Sequence, residues 1–207
     1  MTDCIFCDAG KLKPRTITTF PDVRVVATLG QITEGGYLLL IPTTHSSCLG
    51  DLNKGQITSF DRITQKSIEL LKLEYPGPVT IFEHGIVGQT IKHAHLHLLP
   101  AGLDLTEKVV SDFPNSKIEI INDLTQLQAL YQIRQEPYLL WSTFYDKYLV
   151  CWNPPAPAQY LRTITADLLG VPERANWKNM DPEKDKALLD ETLERLKPLF
   201  SSAIITK

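Results

Sequence analysis

The stretch Lys92-His93-Ala94-His95-Leu96-His97-Leu98-Leu99-Pro100 sets three histidines at alternate positions with apolar residues between them. A period of two is that of an extended strand, whose successive side chains point to opposite faces. Ala94, Leu96 and Leu98 then face a core, and the other side carries imidazole alone. A solvated strand face is ordinarily built from Thr, Lys or Glu, yet three of the five histidines of this chain fall in one run. Imidazole acts as nucleophile, acid, base or metal ligand near neutral pH, so the run is read as a reactive face on a sheet packed on one side.

The remaining sequence is that of an ordinary globular protein. Its 207 residues are enough for a full core, with 43% hydrophobic and 22% charged residues. A net charge of -3 gives no reason to expect broad nucleic-acid or acidic-membrane binding. No apolar run reaches the ~20 residues needed to span a bilayer. Met1-Thr2-Asp3-Cys4 lacks the basic-then-apolar pattern of a secretory leader, so a cytoplasmic location is expected. There disulfides are rare, and a cysteine pair is more often a metal or redox site.

Val23–Leu29 and Tyr37–Ile41 read as strands joined across Thr33-Glu34-Gly35-Gly36. Ile57, Phe60, Ile63, Ile68 and Leu71 recur at helical spacing from about Gly55 to Tyr75, where Pro76-Gly77-Pro78 stops the helix. Pro78–Glu83 and Ile91–Leu99 read as two more strands. Two hairpins around a helix predict an antiparallel sheet in an α+β domain over residues 1–105. Residues 106–207 form an α/β extension expected to wrap the first domain. It holds a strand at Lys117–Ile121, a helix at Leu124–Ile133 and a hairpin, Tyr138–Phe144 with Lys147–Trp152, turning at Tyr145-Asp146. After the stiff connector Asn153-Pro154-Pro155-Ala156-Pro157 come a helix over Gln159–Leu169, closed by Gly170, and a final helix from Asp181-Pro182 to about Phe200.

The histidine run resembles the motif of the histidine triad family, His-φ-His-φ-His-φ-φ with φ apolar, which His93 to Leu99 matches in full. Cys4-Ile5-Phe6-Cys7, Leu39-Leu40-Ile41-Pro42 followed by His45, and Gly88-Gln89-Thr90 stand at supporting positions. The resemblance covers the first half of the chain. Gln159-Tyr160-Leu161-Arg162 is similar to part of the extensions of some longer triad proteins. The resemblance implies a nucleotidyl hydrolase or transferase, acting on a phosphoramidate, a dinucleoside polyphosphate or a similar small nucleotide. His95 would attack the α-phosphorus and form a nucleotidyl-histidine, with His97 meeting the phosphate oxygens. Gln89, Thr90 and the loop glycines would add phosphate donors, and His84 a phosphate or leaving-group contact, although a satisfied loop histidine fits His84 equally well. Tyr37 stands where the family often has histidine, Phe82 where many members have asparagine, and Leu29 where a ribose-binding acid is common.

The resemblance also implies a structural zinc held by Cys4, Cys7, His45 and His93. Zinc favours four N and S ligands, and CxxC presents two thiolates from one turn. The alternative is that the cysteines are free or redox-active and His93 only orients His95. No organic cofactor is expected, and Cys48 and Cys151 read as buried thiols. Two other functions stay open: an enzyme whose HxHxH strand chelates a catalytic ion, and a non-catalytic nucleotide-binding module. Trp177 is a candidate base-stacking residue, with a structural role the commoner use. A homodimer is expected, partly from the resemblance and partly because Ile63, Leu70 and Leu73 lie off the main apolar stripe of the first long helix.

Overall fold

Residues 4–143 and 147–205 are described by the structure, a computed structural model. The expected turn at Tyr145-Asp146 lies outside the described residues. Eight strands form one sheet: β1 (Thr16–Thr19), β2 (Val23–Ala27), β3 (Leu38–Pro42), β4 (Thr80–Gly85), β5 (Leu96–Leu99), β6 (Lys117–Ile121), β7 (Tyr138–Ser142) and β8 (Tyr148–Trp152). Their order is β1-β2-β3-β5-β4-β7-β8-β6, and each neighbouring pair runs antiparallel. The architecture is α+β, as the two hairpins around a helix required.

The strand expected over Ile91–Leu99 is shorter, because pairing begins at Leu96. Residues 91–95 form a loop whose backbone bonds run elsewhere. The His93 N–H donates back to the Ile91 carbonyl (2.8 Å), and that of Ala94 donates to Ser46 (2.7 Å). The alternation survives this, since Leu96 and Leu98 enter one core and His95 and His97 face the other side.

The sheet is covered on both faces, not on one. On the first face Val25, Leu40, Leu96 and Leu98 pack under helix α2 (Lys54–Glu74), which opens with a reciprocal cap between Asn53 and Gln56. Two further helices join that layer. They are α4 (Leu124–Arg134), capped by Asp123, and α6 (Pro182–Ile205), whose Lys184 N–H bonds the Asp181 carboxylate at 2.8 Å. On the second face Val26, Leu39, Phe82 and Trp141 meet Phe6, Leu12 of the short helix α1 (Ala9–Leu12), α3 (Thr106–Asp112) and α5 (Tyr160–Leu168). Both β1 and α3 lie outside the sequence expectations; the one is a polar four-residue edge, the other a single two-turn helix.

Residues 106–207 share this sheet. β7 pairs with β4 over Phe82–Gly85, setting Phe82 against Trp141 and His84 against Leu139. Leu127 and Tyr131 of α4 and Leu196 and Phe200 of α6 enter the core that holds Ile57 and Phe60 of α2. The apolar surface of α2 that argued for a second copy is thus largely covered from within, and Leu73 alone of its off-stripe residues stays well exposed, at 67%.

Candidate active site

His95 and His97 sit where β5 leaves its loop, beneath the layer formed by α5, and are only 8% and 6% exposed. They line a pocket with Ile5, Phe6, Arg15, Thr28, Leu29, His84, Gly88, Gln89, Thr90, Gln159, Arg162 and Trp177. The predicted set His84, Gln89, Thr90, His95 and His97 is therefore gathered at one place. A roomier cleft lined by Lys72, Thr80 and Lys147 holds none of them.

Each imidazole has one nitrogen committed. His95 Nδ1 lies 2.7 Å from the His93 carbonyl oxygen, which can only accept. Nδ1 therefore carries the proton, and the lone pair is left on Nε2. Burial holds the pKa of His95 down at about 4, against the opposing pull of that carbonyl, so the ring is neutral at physiological pH. His97 Nδ1 lies 2.6 Å from the Tyr37 hydroxyl. Tyr37 is fully buried, and burial raises its pKa to about 12, so it stays a phenol. The Arg162 guanidinium lies over its ring at 5.5 Å, a cation that favours the lone pairs of the phenol oxygen and leaves the phenolic proton for His97. Nε2 of His97 then bears hydrogen, and it is a buried polar atom with no partner among the described residues. Phe82 stacks on this ring at 4.3 Å and 17° and fixes its plane.

His84 is 3% exposed, and its Nε2 accepts from the Leu161 N–H in the first turn of α5 (3.0 Å). One of its nitrogens is thus a structural acceptor, and the other remains to serve the pocket it lines. Burial, then His95 and Arg162, hold its pKa down at about 3. Gln89 ties the loop down by donating to the Ser47 carbonyl at 2.7 Å, while Thr90 is exposed at the mouth. Gly88 has φ +73°, and a Cβ there would meet the Pro157 carbonyl at 2.8 Å, so the connector requires glycine.

Cys4, Cys7, His45 and His93 meet beside this pocket, with their ligand atoms all within 4.8 Å of one another. Cys4 Sγ lies 3.4 Å from His93 Nδ1, and Cys7 Sγ lies 3.3 Å from His45 Nδ1 and 3.5 Å from His93 Nδ1. A tetrahedral zinc with bonds of ~2.0–2.3 Å needs ligand separations of about that size. His93 Nε2 donates to the Pro42 carbonyl at 2.9 Å, which leaves Nδ1 as the free donor pair aimed at the cysteines. The donor set and its spacing fit the group. Cys48 and Cys151 are buried and lie elsewhere; burial pushes the Cys48 thiol up to about 12 and raises Cys151 too, as inert thiols require.

Sequence reasoning missed Arg15, met Arg162 only within the run Gln159–Arg162 and gave it no role, and met Tyr37 and Phe82 only as departures. Arg162 is 5% exposed and binds the carbonyls of Ala175 (2.6 Å), Gly30 (2.7 Å) and Arg174 (3.0 Å). It joins α5 to the end of the β2–β3 connection. Gly30 has φ +70°, and a Cβ there would collide with Trp177 at 2.3 Å, so glycine allows Trp177 to reach the pocket rim. The pocket contains two arginines and, among its described lining residues, no carboxylate. It suits an anion.

The chain matches no family model, and no curated protein matches it. Among solved structures it is similar to a HIT family protein from Bacillus anthracis str. 'Ames Ancestor', with 26% identity, 47% of this chain and 72% of that one covered, and a TM-score of 0.44. A HIT family member from Bacillus subtilis gives 23%, 48%, 73% and 0.44 on the same measures. A zinc-bound histidine triad family protein from Mycobacterium smegmatis gives 25%, 47%, 74% and 0.41. These likenesses to HIT, or histidine triad, proteins cover about half of the chain.

Proposed function

We propose that the protein is a nucleotidyl hydrolase or transferase of the histidine triad type, with His95 Nε2 as its nucleophile. The observation that carries the reading is the 2.7 Å bond from His95 Nδ1–H to the His93 carbonyl, which leaves a neutral lone pair on the nitrogen that would attack. Nε2 forms a bond to the α-phosphorus of a nucleotide as the bond to the leaving group breaks. Charge on the resulting nucleotidyl-imidazolium is stabilised through Nδ1–H by the same carbonyl, and the ring then leaves readily when water or a phosphate attacks phosphorus. His97 Nε2–H is the donor placed for a phosphate oxygen, with Tyr37 holding its tautomer. Gln89, Thr90 and His84 border the same space.

The zinc belongs to this reading as a structural ion. All four ligands come from the chain, which leaves no open position for substrate. It would hold His93, and through its carbonyl the tautomer of His95. The reading in which the triad itself chelates a catalytic ion is disfavoured, because His93 turns its Nδ1 to the cysteines and both of its nitrogens are engaged.

The test is turnover of nucleoside phosphoramidates and dinucleoside polyphosphates, with and without inorganic phosphate, by wild type and by His95→Asn. Asn can keep a donor to the His93 carbonyl while removing the nucleophile. Release of a nucleoside monophosphate, or of a diphosphate when phosphate is present, by wild type alone supports the reading. Equal rates in the two proteins would refute it.

A further inference from the structure

Buried arginines keep their charge and need partners. Three line or flank the pocket, and two are satisfied: Arg162 by three carbonyls, and Arg174 by the Ile32 carbonyl (3.2 Å) and Glu34 (2.6 Å). The third is Arg15, which is 9% exposed. It ends the 3-10 turn Lys13–Arg15 and enters β1, where Thr16 lies opposite Val26. That register sets Arg15 beside the end of β2, next to Thr28 and Leu29, and its side chain lines the pocket. Among the described residues nothing makes a hydrogen bond, ion pair or ring contact with its guanidinium, and burial alone depresses its pKa. In the sheet β2 and β3 separate β1 from β5, so Arg15 enters the pocket from the side away from His95 and His97.

We infer that Arg15 is the receptor for a second phosphate of the substrate, separate from the phosphorus that His95 attacks. This deepens the nucleotide reading above and rests on it. A guanidinium presents paired donors that match a phosphate, and no carboxylate among the described lining residues competes for them. The substrate class is therefore a nucleotide with an additional phosphate, either along the 5′ chain or on the ribose.

The experiment measures binding of AMP, ADP, adenosine 3′,5′-bisphosphate and inorganic pyrophosphate by titration calorimetry to wild type, Arg15→Gln and Arg15→Lys. Wild type is expected to bind ADP or the bisphosphate at least about tenfold more tightly than AMP. Preference for ADP places the second phosphate on the chain, and preference for the bisphosphate places it on the ribose. Arg15→Gln should abolish that advantage and leave AMP within about threefold of wild type, while Arg15→Lys keeps part of it. Without ligand, Arg15→Gln should melt close to wild type, because the guanidinium opens to the pocket and no hydrogen bond or ion pair among the described residues is lost. A lower melting temperature, an advantage that survives in Arg15→Gln, or no advantage in wild type would each overturn the inference. If AMP binds but the second phosphate adds nothing, the Arg15 assignment falls and the nucleotide reading stands. If the nucleotides do not bind while pyrophosphate binds in an Arg15-dependent way, the anion site stands and the nucleotide reading falls.

Discussion

The Tyr37 hydroxyl lies 2.6 Å from Nδ1 of His97 and gives that histidine a single tautomer, with its remaining N–H buried and unpartnered among the described residues. The residue that stands where the resemblance expects a histidine thus orients another histidine. Tyr37→Phe removes this donor without removing the ring. Turnover should fall roughly tenfold or more, because His97 is then free to present a lone pair where a donor is needed. Stability should fall by about 1–3 kcal/mol, since His97 Nδ1 is left buried and unpaired. Steady-state kinetics and denaturant unfolding read the two effects separately; unchanged kcat would show that the tautomer does not matter.

Protein prepared without added metal should contain one zinc per chain by elemental analysis. Chelation should lower the melting temperature, because the cluster ties residues 4–7 to the loop ahead of β5. Cys7→Ser should lose the metal under the same conditions. Absence of zinc, or full stability after its removal, would leave the cysteines as free thiols.

Glu83 is the buried carboxyl whose acid form the fold favours. Desolvation raises its pKa from 4.5 to about 7, opposed by hydrogen bonds from Tyr138 O–H (2.6 Å) and Leu49 N–H (2.8 Å). The folded state therefore holds a proton that the unfolded state has released, so this group destabilises the fold progressively as pH rises from 4.5 to about 7. The full effect corresponds to roughly 3 kcal/mol. Glu83→Gln removes this group's titration. The stability difference between variant and wild type should grow with pH through that window and level off above it, and a constant difference would show that Glu83 does not titrate there.

Light scattering at micromolar concentration should return a mass near 23.3 kDa. The surface that called for a two-fold partner is covered by α4 and α6, and β7 occupies the edge of β4. A mass near twice that value would restore the homodimer.

The parts of this structure legible in the sequence are those carried by local periodicity and spacing. The apolar positions of α2, the strand Lys117–Ile121 and the Asp181 cap stand where short-range pattern places them. The cluster of Cys4, Cys7, His45 and His93 was legible because a known motif ties together residues up to 89 apart in the chain. Arg15 carries no such mark, and the run Gln159–Arg162 gives Arg162 no role. Arg162 reaches the Gly30 carbonyl across 132 residues, a contact made only when α5 lies down on the sheet. The one-sided sheet failed for the same reason. Leu39, Phe82 and Leu139 look like strand residues in any sheet, and only packing shows that α3 and α5 bury their face. The shortened β5 reflects competition: the cysteine cluster and Ser46 hold residues 93 and 94 away from ladder pairing.

The central claim is tested most directly by quenching a reaction with a nucleoside phosphoramidate in the steady state and mapping the adduct by mass spectrometry. A nucleotidyl group should be found on the peptide containing residues 93–97, localised to His95, stable in base and labile in acid. His95→Asn should show no adduct and turnover reduced by several orders of magnitude, roughly 10,000-fold or more. An adduct on another residue, or turnover in His95→Asn close to that of wild type, would contradict the account.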